Sequence, residues 1–120
     1  MNWTRIRLEL ARTDDFPRGS AARSYVLRLP LKADGLIDEQ EYRRHPELAT
    51  VGRFWSNEPD RHGCLLHRRE GWIFAYRPDG QNSERIAHLT QDVIRAGRFL
   101  TLTGSDGTQF PLLIKSLAPA

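Results

Sequence analysis

Residues 61–80 read RHGCLLHRREGWIFAYRPDG, and the fold turns on how this stretch is folded back on itself. Two short apolar runs, Cys64–Leu66 and Trp72–Tyr76, flank a tight Arg69-Glu70-Gly71 segment. A β-hairpin follows, with glycine supplying the backbone freedom of the turn. Two registers are consistent with it. A three-residue loop sets Arg68 opposite Trp72, Leu66 opposite Phe74 and Cys64 opposite Tyr76. A two-residue Glu70-Gly71 loop sets Arg69 opposite Trp72 and joins Leu65 and His67 to the aromatic stripe. In both, Cys64 and His67 point to opposite faces, because side chains alternate along a strand.

Outward from this hairpin the dominant signal is the same period of two. In TRIRLELAR, Ile6, Leu8 and Leu10 share one face, while Arg5, Arg7 and Glu9 share the other. In RSYVLRLPL, Tyr25, Leu27, Leu29 and Leu31 align. Pro30 cannot donate to a ladder, so this strand lies at an edge or ends there. TVGRFW (50–55) is a third run, with Gly52 suggesting a bulge or bend. After the hairpin come ERIAHL, RFLTLT and FPLLIKSL. Arg77-Pro78-Asp79-Gly80 has type I turn chemistry, and Gly107 in Gly104-Ser105-Asp106-Gly107 is placed to close the last hairpin. About eight short strands at this spacing predict an all-β domain spanning 1–120, a small antiparallel barrel. The alternative is an α+β domain with an open antiparallel sheet.

One helix is expected near 39–45. Asp38 is a natural N-cap, Glu41 stands three residues on as in a capping box, and Ile37 and Tyr42 occupy staple positions. Glu39 and Glu41 suit the positive helix end, while Arg43 and Arg44 suit the negative one. Pro46 stops the helix. A further helical turn is expected over 91–97, ending at Gly97. The segments Asp15–Gly19 and Asp92–Gly97 resemble one another, as two copies of a half-barrel or two similar loops would.

Composition bounds the function. The net charge is +3, but the only lysines are Lys32 and Lys115, and acidic residues are interspersed with the arginines. Such a skew follows G/C-rich coding, and no polybasic block stands out. Charge therefore permits a nucleic-acid partner without favouring one. One cysteine offers no internal disulfide. No apolar run approaches the ~20 residues that span a bilayer. A soluble, cytoplasmic, bacterial-type chain with no membrane partner is expected.

The candidate chemistry is sparse. His62-Gly63-Cys64-Leu65-Leu66-His67 holds metal-ligand types, yet Cys64 and His67 diverge and a third ligand must come from elsewhere, from His45 or His88. The same divergence argues against a Cys–His nucleophile. No metal, no cofactor and no catalytic residue is assigned. Trp72, Phe74 and Tyr76 form one stripe near Arg68, Arg69 and Arg77. It suits either a barrel core or a base-stacking face for single-stranded nucleic acid, and the core reading is preferred. The best location for a site is the polar loop between two strands: Asn57, Glu58, Asp60, Arg61 and His62 are the candidate binding residues, since function gathers on loops carried by a rigid scaffold. The expected function is a non-enzymatic binding or interaction module for a protein or small-molecule ligand. The alternatives are an enzyme or metal-assisted site in the 57–62 loop, with Glu58, Asp60 and His62 doing acid–base work, and nucleic-acid binding on the Trp72 face.

Overall fold

In the computed structural model, which describes residues 2–13, 16–76, 83–86 and 89–120, eight antiparallel strands close into a barrel in which sequence neighbours are always spatial neighbours. The strands are β1 (Trp3–Leu10), β2 (Ser20–Pro30), β3 (Thr50–Trp55), β4 (Arg61–Arg68), β5 (Gly71–Tyr76), β6 (Glu84–Ile86), β7 (Phe99–Thr103) and β8 (Gln109–Pro119). Pairing of β1 with β8 completes the circle. Closure removes the edges that an open sheet would leave unpaired, so the barrel reading holds and the open α+β sheet does not.

The alternating residues point as their parity requires. Ile6, Leu8, Tyr25, Leu27, Leu29, Leu65, Trp72, Phe74, Leu102, Leu112 and Ile114 are all at most 2% exposed and fill the interior. Eight strands enclose a space just wide enough for side chains to fill. The outward positions carry Arg5, Arg7 and Arg28, the reverse of the apolar exterior of a lipid-embedded barrel. No helix among the described residues is long and apolar enough to cross a membrane.

The hairpin at 61–76 takes a register of its own. His67 pairs with Trp72, Leu65 with Phe74 and Gly63 with Tyr76, so the loop is Arg69-Glu70, and Gly71 already belongs to β5 with φ 120°. This parity joins Leu65 and His67 to the aromatic stripe, as a two-residue loop demands, although shifted along the strand. Glycine is also required at position 63. A β-carbon there would overlap the backbone of Ala75 and Tyr76 on β5. At Gly52 the ladder continues without a bulge on either side. The space a β-carbon would occupy is instead taken by the Phe54 ring.

The helix α1 (Glu39–Arg44) closes one barrel end. The Asp38 carboxylate accepts from the Glu41 backbone N–H at 3.1 Å, and Tyr42 is buried. Only half of the capping box forms. The Glu41 carboxylate accepts from Trp3 Nε1 at 2.9 Å, and the Asp38 N–H donates to the Pro30 carbonyl. Tyr42 plugs the barrel floor, edge-on to Trp72 at 4.7 Å and donating to the Leu65 carbonyl. Pro30 ends β2 as expected, and Pro46 opens a short 3₁₀ turn, Pro46–Leu48.

The helical turn expected over 91–97 is displaced. A 3₁₀ turn covers Leu89–Gln91, and the chain beyond is irregular because Ile94 is drawn into the core while its N–H donates to the Gly35 carbonyl. Gly97 and Gly107 both take left-handed conformations, the latter closing the last hairpin. The 15–19 and 92–97 segments precede β2 and β7, a shift of five strands, whereas two copies of a half-barrel require four. The resemblance therefore reflects like turns, in which Gly19 and Gly97 are both left-handed. The turn at 77–80, together with Asp15 and His88, lies outside the described residues.

Candidate functional site

The barrel end opposite α1 holds a charged cluster that strand parity alone makes unusual. Val51, Arg53 and Trp55 share the inward parity of β3, and Glu84 shares it with Ile86 on β6. An inward arginine and an inward glutamate must be compensated inside the barrel. Arg53 is 7% exposed and Glu84 is 8% exposed. Arg53 pairs across the ladder with Tyr25 and with Arg61, and Gly63 pairs with Tyr76, so register delivers these side chains to one mouth.

Glu84 is held by two phenols. Tyr76 donates to its Oε1 at 2.6 Å, and Tyr25 donates to its Oε2 at 3.1 Å. Burial lifts the Glu84 carboxyl above the ordinary carboxylate range, against the opposing pull of the Tyr76 hydrogen bond and the Arg53 charge. Burial likewise drives both tyrosines well above the usual phenol value, and the Glu84 charge pushes the same way. Both hydroxyls therefore remain protonated donors.

Arg53 links this buried layer to the loop. Its Nη2 donates to Glu58 Oε2 at 3.2 Å, and its guanidinium carbon lies 3.6 Å from the Trp55 ring centroid. Arg61 reaches the other Glu58 oxygen at 3.9 Å. Arg23 lies over both the Phe16 and Trp55 rings, at 4.5 and 4.4 Å. Three nitrogens at this mouth are buried without a hydrogen-bond partner: Arg53 Nε, Arg53 Nη1 and Trp55 Nε1. All three are donors. Leaving a buried donor unmatched costs about 1–3 kcal/mol, so beyond the Tyr25 hydroxyl, which the Arg53 guanidinium also engages, the mouth is short of acceptors.

Of the five candidate residues, Glu58 and Arg61 join this cluster. Asn57 and Asp60 are exposed on the loop above it. Arg61 and His62 belong to β4, which starts earlier than the sequence suggests. Their alternation sends Arg61 to the mouth and His62 outward, edge-on to Phe54 at 5.7 Å. Glu58 is thus engaged by two guanidinium groups, and His62 turns to another face. The sequence reading missed Arg53, Glu84, Tyr25 and Tyr76. The available signal was parity, since a charge in phase with Val51 or Ile86 is a charge inside the barrel.

The other sequence candidates separate spatially. Cys64 faces outward, while His67 lies inward at the α1 end, stacked on Trp72 at 4.5 Å and 3.6 Å from Glu39. His45 sits beside Glu47 on the surface. Among the described residues no three His, Cys, Asp or Glu side chains group as metal ligands. Trp72, Phe74 and Tyr76 are 0%, 0% and 3% exposed, so this stripe is core and offers no ring to an incoming base. A wider groove of about 780 Å³ runs past Leu31, Lys32, Ile94 and Leu117 near α1. Its side-chain donors on β1 and beside it are already used, Asn2 by Asp38 and Trp3 by Glu41. Comparison with family models, with curated proteins and with solved structures finds no match, so the site rests on its own geometry.

Proposed function

We propose that this protein is a non-enzymatic binding module and that the mouth around Arg53 and Trp55 takes a small oxyanion, a carboxylate or its equivalent. The observation that carries the reading is the set of three buried, unmatched nitrogen donors. With Nη2 engaged by Glu58, the Arg53 Nε–H and Nη1–H point to different sides of the guanidinium, so each offers one charge-assisted bond to an anion oxygen. The indole N–H supplies a third donor beside it. Both Glu84 oxygens are already engaged by the Tyr76 and Tyr25 hydroxyls. A cytoplasmic setting belongs to the same proposal, in keeping with the single cysteine.

An enzyme or metal-assisted site in the 57–62 loop has less support, because Glu58 is occupied by Arg53 and Arg61 and His62 packs on Phe54. The test is titration with acetate, succinate, phosphate and sulfate, followed by calorimetry and tryptophan fluorescence. Saturable binding of at least one probe is expected. Trp55→Phe keeps the ring under Arg53 and deletes one donor. Arg53→Lys keeps the charge and removes the separate Nε and Nη1 donors. Each charge-assisted bond lost should weaken binding by about 10-fold or more. No saturable binding of any of the four probes, or undiminished binding by Arg53→Lys, defeats the proposal.

A further inference from the structure

The outer wall of the barrel carries a second feature, independent of the mouth. Register aligns outward-facing residues of four strands in two adjacent rows. One row is Arg5, Arg28, Thr50 and Cys64, and the next is Arg7, Val26, Gly52 and His62. Arg5 and Arg28 stand directly opposite one another, an arrangement that like charges disfavour. Neither has a salt-bridge partner among the described residues, and Arg28 Nε is buried without any hydrogen-bond partner. A hollow of about 270 Å³ lies over Arg5, Val26, Arg28, Thr50 and Ala120, with no Asp or Glu side chain in its lining. It shares Val26 and Thr50 with a second hollow of about 420 Å³ over Gly52, Phe54 and His62. One end of this continuous groove is therefore cationic, and the other is aromatic. Gly52 makes the aromatic end. Lacking a side chain, it lets the Phe54 ring lie down on the sheet, and the exposed His62 ring stands beside it.

We infer that this β1–β4 face is a docking surface for single-stranded nucleic acid, with Arg5 and Arg28 on phosphates and the Phe54–His62 end under a base. Single strands are held by this pairing of a positive groove with aromatic rings, which is tolerant of sequence because every base has a π-face. Three strand-to-strand spacings separate β1 from β4, about 14 Å, so the groove is longer than a single phosphate contact. The interleaved acids along the chain obscured it. β1 carries one acid, Glu9, which faces outward and is paired with Arg7 at 3.2 Å. Duplex DNA is less suited, since its stacked bases cannot reach a flat aromatic end.

The experiment is fluorescence anisotropy of labelled RNA and DNA single strands of about eight nucleotides, with the matching duplex as a second arm. Single strands should bind the full chain in preference to the duplex. With two phosphates neutralised, affinity should fall about sevenfold between 50 and 200 mM salt. Arg5→Gln should weaken binding and flatten the salt slope, and His62→Ala should weaken it about fivefold or more at every salt concentration. Arg43→Gln, on the exposed face of α1 at the barrel end, is the control. Absent binding, a duplex preference, or an Arg43→Gln effect as large as that of Arg5→Gln overturns the inference. Because Arg53→Lys leaves this face untouched, its effect on oxyanion binding separates failure of the mouth from failure of the groove.

Discussion

The hydrogen bond between Tyr76 and Glu84 is the sharpest place to test the buried charge cluster. Tyr76→Phe removes one oxygen from the interior and with it the 2.6 Å bond to Glu84 Oε1, while Tyr25 and Arg53 stay in place. The cost depends on the charge of the acceptor. A hydrogen bond to a charged group contributes about 1.5–3 kcal/mol, and one to a neutral group about 0.5–1.5. Glu84 has a folded-state pKa raised above 4.5 by burial. Well below pH 4.5 the carboxyl is neutral in folded and unfolded chains, and Tyr76→Phe should cost about 1 kcal/mol. Above the raised value it is ionised in both, and the cost should rise to about 2–3 kcal/mol. Between the two, the folded protein binds a proton that the unfolded chain has released, so the parent protein loses stability as pH rises through this window. Glu84→Gln abolishes that slope. In the Glu84→Gln background, Tyr76→Phe should cost about 1 kcal/mol at every pH. Urea unfolding of the four proteins across the acid range reads the coupling directly, and differences between variants cancel the titration of other carboxyls. A Tyr76→Phe penalty that does not grow with pH, or that stays under about 0.5 kcal/mol throughout, would refute the picture of a buried carboxylate held by its phenol.

Three further perturbations probe the scaffold. Gly63→Ala forces a β-carbon onto the backbone of Ala75 and Tyr76, whereas Gly52→Ala meets only the Phe54 ring, which can rotate away. The former should lower the urea midpoint by the equivalent of about 3 kcal/mol or more or prevent folding, and the latter far less; equal losses would contradict the close β4–β5 approach. Leu65→Ala, at a position 0% exposed in the barrel centre, should cost about 2–5 kcal/mol in chemical denaturation. Asp38→Ala removes the N-cap of α1 and should cost about 1 kcal/mol, whereas Asp38→Asn should recover most of it.

Much of this architecture is local physics. Alternation of Ile6, Leu8 and Leu10, and of Tyr25, Leu27 and Leu29, assigns inside and outside without any knowledge of neighbours. Asp38 and Pro46 delimit α1 because capping and steric exclusion act within a few residues. Gly97 and Gly107 mark left-handed turns for the same reason. The helical turn expected at 91–97 is absent because Ile94 gains more from burial and from the Gly35 carbonyl than from continuing a helix.

Register and closure lie beyond local reach. The loop at 69–70 differs by one residue from a reading that the same sequence equally allows, and that residue decides which side chains meet across the ladder. Pairing of β1 with β8 joins positions more than a hundred residues apart, so no nearby pattern announces it. The mouth follows from both. Tyr25 and Glu84 stand 59 residues apart, yet share a hydrogen bond because the four ladders from β2 to β6 set their heights in the barrel. The sequence alone determined that Arg53 shares a face with Val51 and Trp55, and Glu84 one with Ile86, since parity is a property of one strand. Only the tertiary structure decided that they face each other's layer, with Tyr76 and Trp55 beside them, because the height of each side chain depends on the accumulated stagger of every pair around the closed sheet.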